Sequence, residues 1–543
     1  MFSIREIKRW FGPVLALLCA EVVCAADWPQ WGGGDCRTMV SAETGLPDSF
    51  TPRKLSSGDS QIDSATDDNL NWTARLGSAA YGNPTIADGR VYVGTDTLTL
   101  RDDPRRGRHH KGLVKCFDEA TGTLLWQLIV PNRSHGLPDE VHFGLQNLGV
   151  CSSPTVDRDR VYVVSSAGDI LCLDTHGLTD GNDGSFQDEA QYIAGHGNPP
   201  VELNERDADI LWRFDPFDEL DVCPHDAASC SILIHGDILY TGTSNGVGGP
   251  KGSHWIAMHS FVVRPEAPAL IALDKYTGKL VATEDAGISR RIYHCQWSSP
   301  SLGKVGDRTL IFFGGGDGWC YAFEAIAKAE KHPVHLKLVW SYDCNPPEYR
   351  YRDGKPIPYY DGDKRHNNSP NKDDGTYVGP SQVIATPAFD NGRVYVAIGQ
   401  DPAHGRGRGM LHCIDATLEG DITEEGRLWA YDGIERTMAT TAVADGLVYV
   451  PDLAGMLYCL DAETGERRWT YDTKAETWGG VLVADGKLFL VNKKYFFAFT
   501  EGSELQLLNK ILLGSPAYST PVAANGVLYL ASRGYLWAVR QEQ

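Results

Sequence analysis

The stretch ADGLVYVPDLAGMLYCLDAETGERRWTYD, residues 444–472, contains every part of a unit that returns along the chain. An Asx-Gly pair (Asp445-Gly446) precedes an apolar triplet, a second apolar run ends in Asp461, and a Thr-Gly turn leads to Trp469. The triplet recurs at Val91-Tyr92-Val93, Val161-Tyr162-Val163, Ile238-Leu239-Tyr240, Leu310-Ile311-Phe312, Val394-Tyr395-Val396, Leu488-Phe489-Leu490 and Leu528-Tyr529-Leu530. Asp88-Gly89, Asn391-Gly392, Asp485-Gly486 and Asn525-Gly526 repeat the turn, a strong two-residue hairpin signal. The triplets are apolar on both faces, as in a strand covered on both sides. The last three copies are spaced 40 residues apart, the period of a four-stranded propeller blade.

A tryptophan slot settles the blade count. Trp126, Trp212, Trp340, Trp429 and Trp469 fill it in five copies, and Ala282 and Leu508 take it in the third and seventh. The eighth copy stops at Trp537-Ala538-Val539-Arg540, one strand short, while residues 69–76 (NLNWTARL) form a strand with Trp72 and no blade of its own. Joining the two closes the ring and removes both sheet edges. The expectation is all-β: an eight-bladed β-propeller of four-stranded antiparallel blades over residues 69–543, an N-terminal arm at 27–68, and a signal peptide at 1–26.

That leader has Arg5, Lys8 and Arg9, then an apolar stretch, then small residues around Ala26. Cys19 and Cys24 follow Leu and Val rather than the small residue of a lipoprotein site. No later segment is long and apolar enough to span a bilayer. An exported chain, periplasmic or extracellular, is expected. A net charge of −21 argues against nucleic acid or an anionic membrane as partner.

The long insertions 94–112, 127–150, 215–229, 242–269, 284–297, 343–383 and 399–410 all fall in the second-to-third or the outer-to-next-blade connections, which leave a blade on one face. Only 174–209 and 324–336 belong to the other face. The built-up face carries ten of the sixteen histidines and thirteen arginines between Arg101 and Arg408. Two readings follow: a site for an anionic or metal-associated ligand, or solvated residues making local salt bridges. Cys223-Pro224-His225-Asp226 and Tyr293-His294-Cys295-Gln296-Trp297 stand just before innermost strands, with metal-competent side chains but no recognised ligand spacing. Gly314 to Trp319 (GGGDGW) and Gly399 to Gly405 (GQDPAHG) offer a ligand platform and a carboxylate–imidazole pair. His225, His294, Trp297, Trp319 and Arg406 are therefore expected as ligand-binding residues at the channel mouth, with Asp317, Asp401 and His404 as the catalytic set of an enzyme. No metal is named by the sequence. Asp180-Gly181-Asn182-Asp183-Gly184 on the other face has Gly where a calcium loop needs an oxygen ligand. Cys223 and Cys230 share one loop, so a bridge between them is one expectation.

The link Cys116-Phe117-Asp118 through Thr121-Gly122 to Trp126, its copy at 459–469, and the segment Asp27-Trp28-Pro29-Gln30-Trp31-Gly32 resemble the pyrroloquinoline quinone repeat superfamily of exported bacterial propellers. The resemblance implies one of two functions. One is a scaffold that grips proteins with its loops, like the propeller subunit of the outer-membrane β-barrel assembly machinery. The other is a quinone- and Ca2+-dependent alcohol dehydrogenase, with Trp319 beneath the cofactor, Asp317 as carboxylate and Arg406 on a quinone carboxylate. That enzyme type also carries a disulfide between adjacent cysteines, and no adjacent pair exists here. The sequence favours a binding or scaffold module without an assured cofactor, taking a protein partner or small anionic ligand; the oxidoreductase is the alternative.

Cys116, Cys172, Cys413 and Cys459 occupy one repeat position that holds Ala272, Ala498 and Ala538 in other blades. They are read as small buried strand residues. Each Cys→Ala variant should fold and melt as the parent does in a calorimetric scan. A disulfide or thiolate-bound metal found at any one of them would sink that reading.

Overall fold

The computed structural model describes residues 26–55, 68–100, 103–106, 110–133, 135–141, 143–144, 148–250, 259–329, 332–361, 364–365, 380–400, 402 and 407–541. The leader, residues 1–25, lies outside them. Eight antiparallel sheets are arranged as blades around a central channel. The first runs Thr85–Ala87, Arg90–Asp96, Gly112–Asp118 and Leu124–Val130 from channel to rim. In the eighth, Val522–Ala524, Val527–Ala531 and Tyr535–Val539 are completed by Leu70–Arg75, with Trp72 opposite Ala538 and Thr73 opposite Trp537. The ring is thus closed by its two ends.

The local chemistry behaves as the repeat dictates. In all five Asx-Gly turns both central residues have positive φ, as at Asp88 (51°) and Gly89 (70°), the type I′ geometry that matches strand twist. In the outer hairpins the Asp carboxylate holds the turn: Asp461 Oδ1 accepts from Thr464 N and Thr464 Oγ1, both at 2.9 Å.

The slot tryptophans lock each blade to the next. The Nε1–H of Trp72 donates to Glu119 O (2.9 Å), of Trp126 to Thr175 O (2.8 Å), of Trp212 to Lys275 O (3.0 Å), of Trp429 to Ala462 O (3.0 Å) and of Trp469 to Gly502 O (3.0 Å). Every acceptor is a carbonyl in the outer hairpin of the following blade. In four of these hairpins a glycine (Gly122, Gly177, Gly278 or Gly465) lies on the indole. At Gly122, φ is 70° and an added Cβ would stand 2.6 Å from Trp72, so only glycine fits.

Two blades lack the indole. The register sets Ala282 opposite Ala272 in the third, as expected, and Asn509 opposite Ala498 in the seventh. The seventh slot is therefore Asn509 rather than Leu508, because its outer turn is one residue longer: Thr500 N donates to Gln506 O, where Asp118 N and Asp461 N donate to Thr123 O and Glu466 O. Both junctions are filled from elsewhere. Val334–His335, from the fourth blade, pairs in parallel with Leu280–Thr283 of the third. Phe50 of the N-terminal arm packs against Phe496 (5.5 Å between centroids) and Trp537 (6.2 Å), between the seventh and eighth blades.

The arm does more than fill a gap. Trp28 bridges to Ile86, and the carbonyls of Pro29, Asp35, Cys36, Thr38 and Met39 accept from Val156, Leu302, Phe389, Val443 and Val483 at 2.8–3.1 Å. Arg37 reaches Ile232 O (3.1 Å) and Ser41 Oγ donates to Ala523 O (3.1 Å). The segment thus touches all eight blades in turn and floors the channel at the end away from the long insertions.

All eleven cysteines of the described residues are free and ten are buried. Cys223 and Cys230 do not bridge: Cys230 Sγ is turned to Ser298 O (3.2 Å) of the adjoining blade, while Cys223 N donates to Asn245 Oδ1 (3.0 Å).

Two outcomes are expected. Trp72→Ala removes a wholly buried indole at the closure and should cost on the order of 3–5 kcal/mol in denaturant melts; an unchanged midpoint would contradict the closure. His412, buried between the fourth and fifth blades, donates from Nε2 to Cys344 O (2.9 Å) and accepts at Nδ1 from Tyr342 Oη (3.0 Å). Burial drives its pKa down to about 4. A histidine depressed in the folded state contributes stability that is full above the unfolded value of about 6.5 and is lost as pH falls toward 4. Between those limits the parent should lose on the order of 3 kcal/mol more than His412→Gln, measured by urea melts at stepped pH.

Candidate functional site: a blind well at the channel mouth

The residue three places before each blade's opening Pro, or its equivalent, points into the channel. Tyr81, Trp297, Trp478 and Tyr518 supply aromatic rings there, and Cys151, Ile384 and Met438 supply smaller apolar groups. They wall a well of two stacked chambers, about 260 Å³ above and 120 Å³ below. The upper chamber opens among the insertions, beside Leu148, Asp226 and Pro402. The lower ends on Trp31 of the arm, whose Nε1–H donates to Thr386 Oγ1 (3.1 Å). Beneath, the buried Arg37 guanidinium is turned to the carbonyls of Trp31, Ile232 and Pro300; burial lowers its pKa to about 10, so it stays charged at neutral pH. On one side Tyr81 stacks on Trp478 (5.8 Å, 15° between planes), Tyr518 closes on Trp478 at 4.4 Å, and Lys493 stands over both Trp478 and Tyr518.

At the lip, three loops converge. His225 precedes the third blade's inner strand, His259 lies in that blade's second-to-third insertion, and His294 precedes the fourth blade's inner strand. The segment 245–248 runs between the other two loops: Gly246 N donates to Cys223 O (3.0 Å) and Gln296 N to Asn245 O (3.0 Å). Val247 orients both flanking histidines. Its N–H donates to His294 O (3.0 Å), and its carbonyl takes the Nδ1–H of His225 (2.7 Å). A Cβ on Gly246 would stand 2.6 Å from His225 Cβ, so the approach needs glycine. The ring centroids are 4.9 Å apart for His225–His259, 4.7 Å for His225–His294 and 4.3 Å for His259–His294. The Nε2 atoms of His225 and His259 stand 3.0 Å apart. Asp226 places one carboxylate oxygen 3.6 Å from His225 Nε2 and the other 3.6 Å from His294 Nε2. Trp297 links cluster and well, 4.8 Å from His294.

Of the residues expected at the mouth, His225, His294 and Trp297 are brought together. Asp317 and Trp319 are not on the well. Gln296 docks their glycine turn beside the His294 loop, through Gly314 O (2.6 Å) and Gly316 N (2.7 Å). Asp317 is wholly buried and accepts from Arg291 Nη2 (3.0 Å), Tyr321 Oη (2.6 Å) and Trp319 N (3.2 Å). Desolvation raises its carboxyl pKa against the pull of Arg291. Trp319 Nε1–H donates to Tyr359 Oη (3.1 Å). Asp401, His404 and Arg406 lie outside the described residues, although Pro402 between them lines the upper chamber. Described arginines of this face form local ion pairs: Arg105 with Asp207, Arg133 with Asp215, Arg291 with Asp317, Arg350 with Asp343 and Arg408 with Asp432.

Sequence reasoning missed Tyr81, Trp478, Tyr518, His259 and Asp226 as site residues. For Tyr81 and Tyr518 a signal existed, since Tyr-x-x-Pro heads both blades as Trp-x-x-Pro does at Trp297.

A family model described as outer membrane protein assembly factor BamB matches residues 110–249 and 408–510. The repeat is the PQQ-like repeat. A europium-containing methanol dehydrogenase shares the propeller fold at 15% identity, with a TM-score of 0.51 over 93% of this chain and 89% of that one. BamB from Moraxella catarrhalis aligns at 12% identity and a TM-score of 0.49, over 89% and 98% of the two chains. A 1-butanol dehydrogenase (cytochrome c) of Thauera butanivorans is 30% identical over 125 residues, which are 20% of this chain and 17% of that relative.

Pyrroloquinoline quinone carries carboxylates, and Ca2+ takes oxygen ligands. Among the described residues lining the well's upper chamber the sole charged side chain is Asp226, an acid, and the donors grouped at the lip are imidazoles. This lining does not fit the quinone–calcium pair, and no step is derived through it.

Proposed function

We propose that this PQQ-like propeller is an exported binding module that holds a compact, uncharged, aromatic-bearing group in the blind well of its insertion-bearing face. The group belongs to a small molecule or projects from a protein partner. The carrying observation is the well itself, a pocket open at the insertion face, lined by Tyr81, Trp297, Trp478 and Tyr518 and floored by Trp31. Apolar walls with few polar groups favour burial of an apolar ligand, and rings favour stacking. The ion pairs of the described rim arginines count against a free anion as the main ligand. Export rests on the leader pattern at 1–26, and among the described residues no helix is long and apolar enough to cross a membrane. The domain division follows the same reading, with the mature chain starting near Asp27 and its arm serving as the floor.

The oxidoreductase alternative is supported by the short match to the butanol dehydrogenase and is weakened by the acidic, imidazole-bearing mouth.

Indole serves as the test ligand. In calorimetric titration and in crystals soaked with it, indole should occupy the upper chamber once per chain, and Trp478→Ala should weaken it about tenfold or more, the effect of losing one stacked ring. Indole bound elsewhere, or with affinity indifferent to Trp478→Ala, would overturn the proposal.

A further inference from the structure

We propose that His225, His259 and His294, with Asp226, form a binding site for one divalent transition-metal ion of the zinc type at the lip of the well. The inference does not depend on what fills the well.

The geometry has four parts. First, one ligand nitrogen from each of three histidines lies within 4.8 Å of the others. In a tetrahedral site with bonds of ~2.0–2.1 Å, neighbouring donor atoms stand about 3.3 Å apart. The 3.0 Å between Nε2 of His225 and Nε2 of His259, and the 3.6 Å from Asp226 to two of the histidines, bracket that value. Second, the tautomer is fixed. A backbone carbonyl only accepts, so the 2.7 Å contact to Val247 O holds the proton of His225 on Nδ1 and leaves the Nε2 lone pair turned to the cluster. A second bond on the far ring nitrogen is how metal-binding histidines are oriented.

Third, the donors are buried together: His225 is fully enclosed, His294 is 2% exposed and His259 is half-buried. An interior grouping of three imidazoles and a carboxylate is neutralised well by one divalent cation, which would carry a net charge of about +1 with Asp226 ionised. Fourth, the three histidines come from three separate insertions, and the chain uses Gly246 to let two of those loops approach. Nitrogen donors with one carboxylate select zinc and its first-row neighbours over calcium or magnesium. Because Asp226 also lines the upper chamber, the ion would stand where a ligand in the well could reach it.

The full mature protein, stripped with a chelator, is titrated with Zn2+ alone and with Co2+ alone. One equivalent should bind, with the visible d–d bands of four-coordinate Co(II), and the melting temperature should rise with metal and fall back with chelator. His225 is enclosed and its replacement threatens folding, so the deciding variants are His259→Ala and Asp226→Asn. Affinity should fall roughly 100-fold or more in the first, and about 10–100-fold in the second, with metal-free melts unchanged. His176→Ala serves as the control, since Asp174, His176 and Asp180 form a second, more exposed grouping at the start of the 174–209 insertion; it should change nothing. Failure to bind a stoichiometric ion, binding indifferent to His259→Ala, or loss of the ion in His176→Ala would each overturn the assignment.

Discussion

The clasp between a tryptophan and the next blade's outer hairpin sets the terms for the rest of the molecule. An isolated four-stranded blade leaves two apolar faces to water, and its stability comes from being covered on both. The indole does this in one step, filling the gap between sheets while its N–H fixes their rotation against a backbone carbonyl, as Trp126 does with Thr175. One such hydrogen bond contributes about 1 kcal/mol net, whereas burying the ring contributes several times that, so packing rather than hydrogen bonding carries the junction. The hydrogen bond supplies direction. Its glycine partner is required because the ring lies where a Cβ would be, as Gly122 lies over Trp72.

A ring tolerates no weak junction, since opening one seam exposes two sheet faces at once. The two junctions without the indole show how this is met. Between the third and fourth blades the added strand Val334–His335 crosses the seam, and between the seventh and eighth Phe50 enters from the arm. The arm thereby couples closure to function. The same segment that fills a seam with Phe50 sets Trp31 as the floor of the well and buries Arg37 beneath it. Its carbonyl contacts with successive inner strands make that floor part of the ring rather than a mobile plug.

How much of this was legible followed from the kind of interaction involved. Repeats of side-chain identity were readable: the Asx-Gly turns, the Trp slot and the completion of the last blade by Trp72 all appear in the structure. Interactions made by backbone atoms were not. Nothing in the residue types of Asp35, Cys36 or Thr38 announces that their carbonyls bind three different blades. The slip from Asn509 to Leu508 came from the turn at 501–505, which holds one residue more than its counterparts at 119–122 and 462–465 and so moves the slot without changing the apolar pattern. At the mouth, His225 and His294 were visible from their place before inner strands. His259 was not singled out, since an insertion has no register by which to locate a side chain in space. Arginine abundance on that face was visible too, yet its meaning turned on partners far along the chain, such as Asp207 for Arg105.

Charge then separates two roles within one face. The chain carries −21 overall, and described rim arginines such as Arg133 and Arg350 are held by their own acids, so they brace loops rather than gather anions. The Asp317–Arg291–Tyr321 group belongs to the same bracing: a carboxylate buried this deeply is kept in place by its donors, and its position behind the glycine turn fixes the His294 loop from below. Among the described residues, what remains facing the channel is apolar ring surface, imidazole and the Asp226 carboxylate. The scaffold thus spends its ionic contacts on making the insertions rigid, and leaves to the rings and histidines the part of the surface that meets a ligand.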